Sequence, residues 1–229
     1  MVQDKEMHKL LWLWIPLLMA VVQIFLELLL PSQTLSILHS ESGPHEFVQF
    51  IIIFLALVIS ATMLHGLNFK EVPWLSAWIG LMTLCCFYVA GEEISWGQHV
   101  LNWSTPDYWN NLNDQGETNL HNTSSWLDQK PRLILELGVI VGGLIMPLLM
   151  KVKPDFLPKK FRIIYPPRFL YVTAGIFLVL KIVDKADVLG IQLFERGSEV
   201  QELYLFYFVL LYCLELRRRL SLKNSSFDL

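Results

Sequence analysis

The 229-residue chain is 54% hydrophobic and only 17% charged, and its mean hydropathy is +0.45. This composition excludes an ordinary soluble domain, which has a smaller apolar share and no repeated apolar runs of about 20 residues. The net charge of −3 is informative only once it is divided between the two sides of a membrane. Cys85, Cys86 and Cys213 fall inside apolar runs, so no external disulfide framework is expected.

Continuous apolar runs recur along the whole length of the chain. They are expected to form six transmembrane helices, at about residues 10–30, 47–65, 74–97, 132–150, 169–189 and 199–216. A membrane β-barrel would instead show alternating hydrophobicity. The sequence therefore predicts an all-α integral membrane protein in which residues 1–229 form a single six-helix transmembrane domain.

Two of the runs carry residues that indicate contacts with neighbouring helices. The first run is too long for a signal-peptide core and is expected to remain as an anchor. Within it, Gln23 and Glu27 lie four residues apart on one helix face, which is expected to point into the bundle. In the fourth run, Gly138, Gly142 and Gly143 have a spacing that lets another helix approach closely.

A loop of about thirty residues separates the third and fourth runs, and a loop of this length is expected to carry function or structure of its own. Its segment Ser104-Thr105-Pro106-Asp107 is typical of a helix start. Tyr108, Trp109 and Leu112 then indicate a short amphipathic helix at the membrane interface.

The basic residues predict the orientation of the chain, because Lys and Arg favour the cytoplasmic side of short loops. With both termini in the cytoplasm, most of the 18 basic residues lie on that side. They include the basic loop from Lys151 to Arg168, which is expected to contact anionic lipid, and the run Arg217-Arg218-Arg219, which is expected to end the sixth helix. The long loop is therefore predicted to be external, and the chain to lie in the inner (plasma) membrane.

This orientation brings acidic and histidine residues from separate runs to one level near the outer interface. The residues concerned are Glu27, His45, Glu46, Glu92, Glu93, His99, Glu117, His121, Glu136, Asp184, Asp187, Glu199 and Glu202. Because uncompensated charges are costly at membrane depth, their side chains are predicted to line one acidic, partly buried vestibule that opens outward.

Glu92 and Glu93 are the main candidates for catalysis. A carboxylate buried among like charges can act as a general acid or base or as a metal ligand, although it can also simply pair with a cation of another helix. Adjacent residues on a helix point about 100° apart, so one of the two is expected to be functional and the other structural. The space that Gly97 leaves one turn on favours Glu93 as the functional one. If the helix continues through this segment, Glu92, Ser95 and His99 share a face.

Two histidines, His99 and His121, are candidate catalytic groups. A divalent metal could be bound by His99, His121 and one of the glutamates Glu92, Glu93 and Glu117, with Glu117 as the preferred ligand, which would leave a position for water. No tight ligand spacing such as His-Glu-x-x-His is present, and a single histidine at the interface is more often a hydrogen-bonding residue. His39 and His45 are weaker candidates.

Further polar residues near these groups are candidates for binding substrate. Neutral amides suit the hydroxyl groups of a sugar or a lipid head group, and they equally satisfy the backbone of an irregular buried loop. The candidates are Gln98, Glu117, Asn119, Asn122, Asp184, Glu199 and Glu202.

Two polar runs carry a resemblance. Gly91-Glu92-Glu93-Ile94-Ser95-Trp96-Gly97-Gln98 and Gln115-Gly116-Glu117-Thr118-Asn119-Leu120-His121-Asn122 together resemble a signature of uncharacterised polytopic inner-membrane proteins of bacteria. The resemblance is confined to this part of the chain, and it implies an inner-membrane protein without attaching an activity to it.

The leading hypothesis is a membrane-embedded hydrolase or transferase that acts on a lipid or lipid-linked substrate at the outer face. The first alternative is an ion-coupled transporter or channel-like protein that uses the acidic vestibule, although only Gln23 and Glu27 come near mid-span. The second is a non-catalytic subunit of an envelope assembly. Membrane lipids are the expected partners, a homo-oligomer or an envelope-complex partner is compatible with the chain, and nothing in the sequence indicates nucleic acid.

Overall fold

The computed structural model describes residues 7–40, 43–112, 118–120, 123, 125–186 and 193–225, and all regular structure within these ranges is helical. The helices in chain order are α1 (Leu10–Leu29), α2 (Ser32–Leu38), α3 (Pro44–His65), α4 (Pro73–Glu92), α5 (Gln98–Leu101), α6 (Asp107–Asn110), α7 (Ser125–Ile140), α8 (Met146–Val152), α9 (Tyr171–Ala186) and α10 (Gly197–Ser225). The chain divides into two compact units, a first of Met1–His39 with Gly138–Leu229 and a second of Ser40–Leu137.

Four helical segments are long and apolar enough to cross a membrane: Leu10–Leu29, Pro44–His65, Pro73–Glu92 and Gln129–Val152. Only 11 to 33% of the residues in their most apolar stretches are buried within the protein. Large side chains such as Leu28, Leu84 and Ile134 therefore point outward. An apolar surface of this extent needs a covering, and lipid is the covering that the length of these helices fits.

The expected all-helical membrane architecture is thus confirmed for four of the six predicted spans. The third of them is shorter than expected, because α4 ends at Glu92 and not at residue 97. The predicted spans 169–189 and 199–216 correspond to α9 and α10. The 16 described residues of α9 extend for about 24 Å, less than the hydrocarbon core of a bilayer, and α10, although long enough, is not among the described helices that are apolar enough to cross a membrane. Membrane crossing by these two helices therefore stays a prediction.

In the second unit, α3 and α4 pack along one another as a hairpin. The short turn from Gly66 to Val72 joins them, and a proline at the first position of each helix supplies the backbone angle that a helix start requires. The buried residues of α3 recur every three or four positions, as expected for one helix face: His45, Gln49, Ile53, Ala56, Ser60 and Met63.

In the first unit, α10 is buried around most of its circumference, and three of its tyrosines bind the backbone of other segments. The hydroxyl of Tyr204 donates to the Pro16 carbonyl at 3.0 Å, and that of Tyr207 donates to the Leu11 carbonyl at 2.7 Å. The hydroxyl of Tyr212 donates to the carbonyl of Ile164 at 2.7 Å. The predicted stop at Arg217 is wrong, because α10 continues through the arginine run to Ser225.

Two π-helical turns occur among the described residues of this unit, and each is closely followed by a proline. The turn Leu10–Trp14 precedes Pro16, and the turn Val141–Ile145 joins α7 to α8 and precedes Pro147. Proline has no N–H, so a carbonyl of the preceding turn loses its donor. In the first turn, where N–H groups bond five residues back, that carbonyl belongs to Leu11, and the Tyr207 hydroxyl replaces the missing donor.

The expected close helix approach is present at two of the three glycines. A methyl group on Gly143 would overlap Cβ of Ala174 and lie 2.8 Å from Cε2 of Phe208. A methyl group on Gly142 would lie 3.0 Å from Cγ of Pro166. At Gly138 no described atom lies within 4 Å of the added group. The absence of a side chain is therefore a packing requirement at positions 142 and 143.

Candidate functional site

The chain turns sharply where α4 ends. Ser95, Trp96 and Gly97 have φ angles of 45°, 55° and 103°, and Asn102 follows with 53°. These values lie in the left-handed region, which a right-handed helix cannot include. The expectation that Glu92, Ser95 and His99 share one helix face is therefore wrong.

Trp96 folds back over the last turn of α4 and explains this ending. Its indole N–H donates to Oε1 of Glu92 at 2.6 Å. Its ring makes an edge contact with Phe87, at 5.7 Å between ring centroids. The ring also covers Gly91, where a methyl group would lie only 2.9 Å from it. Glycine at this position thus leaves the space that the returning tryptophan fills.

Glu92 anchors a distant part of the chain to the end of α4. Its side chain is buried, with a residue exposure of 4%. Oε1 accepts the Trp96 indole N–H, and Oε2 accepts the backbone N–H of Leu120 at 2.8 Å. Each oxygen therefore faces a neutral donor, an arrangement suited to an ionised carboxylate, which accepts hydrogen bonds and donates none.

Gln98 and Asn119 complete this attachment. Oε1 of Gln98 accepts the backbone N–H of Thr118 at 2.8 Å, and its Nε2 donates to the hydroxyl of Thr105 at 2.7 Å. Nδ2 of the buried Asn119 donates to the hydroxyl of Ser95 at 3.1 Å. We call the described residues 93–112 and 118–120 the Glu92 loop. Residues 118 and 119 are thus hydrogen-bonded to the segment that follows α4, and residue 120 is hydrogen-bonded to Glu92 at the end of α4 itself.

Glu93 lies beside this attachment in a different environment. It is the residue that caps α4, its backbone N–H still donates to the Val89 carbonyl at 3.0 Å, and its side chain is half-buried. The two adjacent glutamates therefore differ in burial, with Glu92 in the interior and Glu93 at its margin.

A second polar cluster lies in the first unit, around His39, and we call it the His39 cluster. Nε2 of Gln23 donates to Oε1 of Glu27 at 2.7 Å and lies 3.1 Å from Nε2 of His39. Because the amide nitrogen is a donor only, this contact is a hydrogen bond in the form of His39 whose Nε2 carries no proton, and the same Nε2 lies 3.9 Å from Oε1 of Glu27. The backbone N–H of Glu195 donates to the other oxygen of Glu27 at 3.3 Å.

Three predicted substrate-binding residues, Asp184, Glu199 and Glu202, lie in the same unit. Arg196, which adopts a φ of 51°, has its guanidinium 3.9 Å from a carboxylate oxygen of Glu199. Oδ1 of Asp184 lies against the start of α10, 2.8 Å from where a methyl group on Gly197 would be. Glu202 is half-buried one turn further along α10.

Acidification is expected to destabilise the fold through His39, whose residue exposure is only 1%. Its pKa is lowered from the ordinary value of 6.5, first by burial and second by the positive charge of Arg196. The unfolded chain therefore binds a proton at a pH where the folded chain does not. Stability is complete above the unfolded pKa and is lost as the pH falls toward the folded pKa, by at most about 1.4 kcal/mol per pH unit.

The measurement is thermal unfolding in detergent at pH 7.5 and pH 5.5 for the wild type and for His39→Gln. The glutamine retains a neutral acceptor and removes the titration, so the variant should lose less stability on acidification than the wild type. His65→Gln, at an exposed position, is the matched control and should follow the wild type. Equal pH dependence in wild type and His39→Gln would contradict the assignment.

Several predicted site residues lie outside the described residues: Glu117, His121, Asn122, Asp187 and the side chain of His99. Among the side chains that the structure does describe, no group of three or more His, Cys, Asp or Glu residues could hold a metal ion. The suggested ligands His99, His121 and Glu117 are not part of that description, so divalent metal binding stays a prediction.

Sequence reasoning underestimated two residues of these sites. The sequence makes His39 only a weak candidate, since it lies in a short connection and no periodicity links it to Gln23, sixteen positions earlier. Trp96 is typical of an interfacial aromatic residue or a sugar-stacking one, yet its indole binds Glu92. For His39, the signal available in the sequence was the spacing of Gln23 and Glu27, which places both side chains on one face of α1.

No protein-family model, curated protein or solved structure matches this chain. Its function must therefore be inferred from the residues and their arrangement.

Proposed function

We propose that this protein is a membrane-embedded hydrolase or transferase acting on a lipid or lipid-linked substrate at the outer face of the plasma membrane. The observation that carries the proposal is the Glu92 loop, in which Ser95 and Trp96 adopt left-handed conformations next to a buried carboxylate. Such conformations cost on the order of 1–3 kcal/mol each, and they cluster at active sites and ligand clamps. A loop this strongly constrained at the end of an apolar helix suits the positioning of a head group.

In this proposal the two glutamates have separate roles. Glu92 is structural, because both of its oxygens already hold the loop. Glu93 is the general acid or base, since it is half-buried at the edge of the same loop. His99 and His121 assist as proton carriers or metal ligands. Gln98 and Asn119 keep the loop in shape through their internal hydrogen bonds.

The proposed topology has six membrane spans, both termini in the cytoplasm and the Glu92 loop outside. It is supported by the distribution of basic residues, because the basic segment between α8 and α9 and the arginine run of α10 then both lie on the cytoplasmic side.

Separate Glu92→Gln and Glu93→Gln variants test the proposal. Glu92→Gln replaces one acceptor oxygen by an amide group that faces an N–H donor. It should lower the free energy of unfolding in detergent by about 1–3 kcal/mol, the cost of a buried unsatisfied polar group. Glu93→Gln should leave thermal unfolding unchanged but abolish rescue of a deletion strain, with the unprocessed lipid accumulating in that strain's lipid mass spectrum.

The two variants are matched controls for each other, since they make the same chemical change at adjacent positions. Normal lipid composition and full rescue by a well-folded Glu93→Gln protein would rule out this carboxylate as the catalytic group. If Glu92→Gln also rescues and unfolds normally, the non-catalytic subunit becomes the better hypothesis.

The His39 cluster favours an ion-coupled transporter as the second candidate. Glu27 lies in a helix that can span a membrane and is linked through Gln23 to the buried imidazole of His39. Carboxylate and histidine chains of this kind occur in proton relays. Proton flux into liposomes that contain the purified protein, reduced by His39→Gln but not by Glu93→Gln, would favour the transporter over the enzyme.

A further inference from the structure

The segment between α8 and α9 presents a dense set of basic side chains to the surroundings. All six basic residues from position 151 to 168 are exposed: Lys151, Lys153, Lys159, Lys160, Arg162 and Arg168. The segment contains one acidic residue, Asp155, whose carboxylate lies 3.1 Å from the ammonium group of Lys159. We call residues 151–168 the basic platform.

The backbone of the basic platform is held at successive residues by α10. Nη1 of Arg219 donates to the carbonyls of Ile163 and Tyr165, at 3.0 and 2.7 Å, and the Tyr212 hydroxyl donates to the intervening carbonyl of Ile164 at 2.7 Å. The buried carboxylate of Glu215 in turn holds Arg219 at 2.8 Å. Three consecutive carbonyls are therefore bound, so this part of the platform is a formed surface from which the basic side chains project.

The position of the platform fits a membrane surface. It begins at the end of the apolar helix Gln129–Val152, where charged groups of lipid begin. Val152 and Phe156 are 66% and 63% exposed among the lysines. Large apolar side chains interspersed with exposed cations are typical of a surface that enters the head-group region of a bilayer.

We infer that the basic platform is a binding surface for the head groups of anionic phospholipids. If these residues served only to set the orientation of the chain in the membrane, their positive charges would suffice. Here the backbone that carries them is also hydrogen-bonded to α10. A preformed surface loses less conformational entropy on binding than a flexible chain with the same charges. The inference goes beyond the proposed enzyme and does not depend on Glu93.

The test uses the full chain in detergent and measures lipid binding by native mass spectrometry with phosphatidylglycerol or phosphatidylcholine. Wild type should prefer phosphatidylglycerol. Lys160→Gln/Arg162→Gln should weaken that binding by about fivefold for each charge, or about twenty-five-fold together. The matched control, Lys130→Gln/Lys185→Gln, removes the same charge from exposed positions elsewhere and should leave it unchanged.

A change of opposite sign completes the test. Asp155→Asn removes the one acid of the platform and should tighten phosphatidylglycerol binding by about fivefold. Three results would overturn the inference: no preference of the wild type for phosphatidylglycerol, equal losses in the platform and control variants, or inorganic phosphate competing as effectively as the lipid. Thermal unfolding of each variant separates a loss of binding from a loss of fold.

Discussion

Gly143→Ala is expected to lower the free energy of unfolding by about 3 kcal/mol, because the added methyl group has no space. It would overlap Cβ of Ala174 and press on the Phe208 ring at 2.8 Å. Neither contact can be relieved by rotating a flexible side chain, so α9 or α10 would have to move away.

The control is Gly138→Ala, five residues earlier in the same helical segment, where no described atom lies within 4 Å of the added group. An alanine there should be neutral or stabilising by up to about 1 kcal/mol, since it reduces the freedom of the unfolded chain. Thermal unfolding of both variants in one detergent gives the comparison. Similar stability of the two variants would mean that α9 and α10 do not approach the π turn as closely as described.

Glu215→Gln is expected to cost a similar amount, about 3 kcal/mol, because it leaves two guanidinium groups without their buried counter-charge. Glu215 is buried and accepts from Arg218 and Arg219 at 2.8 to 2.9 Å. Arg219 also donates to two carbonyls of the basic platform, so its displacement should loosen that segment as well.

Asp155→Asn is the appropriate comparison, because it removes a carboxylate from an ion pair of similar length. Both partners of the Asp155–Lys159 pair are more than three-quarters exposed, so the loss should be under about 1 kcal/mol. The measurement is again thermal unfolding, with proteolysis near residue 160 as a reporter of platform loosening. Equal stability of the two variants would indicate that Glu215 is not a structural centre of α10.

The membrane helices could be predicted from the sequence because hydrophobicity over about 20 residues is a local property. The residues at which individual helices end could not be predicted in the same way. Residues 93–97 are compatible with a helix by composition, and what ends α4 is the return of Trp96 over Gly91 to Glu92. Likewise, the arginine run suggests a helix end, yet Glu215 compensates two of its charges within the helix, and α10 continues.

The candidate site could be predicted in part, through residue types that are costly at membrane depth. Glu92, Gln98 and Asn119 each take part in the hydrogen bonds that join residues 118–120 to the end of α4 and to the segment after it, whereas their function stays a prediction. The role of Glu92 as an anchor could not be foreseen, because its partner Leu120 lies 28 positions away and contributes only a backbone N–H. Almost every residue type has a backbone N–H group, so the sequence does not show which of these groups binds a carboxylate. Sequence patterns therefore suggest side-chain partners first.

The two π turns have a consequence for the helices that contain them. One extra residue within a helical turn advances the phase of everything beyond it by about 100°, the angle between neighbouring side chains. In α1 the π turn precedes Gln23 and Glu27. In the α7–α8 segment the π turn includes Gly142 and Gly143, the glycines at which neighbouring segments approach closely. Each π turn therefore rotates the side chains that follow it about the helix axis. As a result, the residues that pack against neighbours lie on one face before the turn and on a different face after it. The following proline fixes this rotation in place, since it removes the N–H through which a regular ladder could be restored.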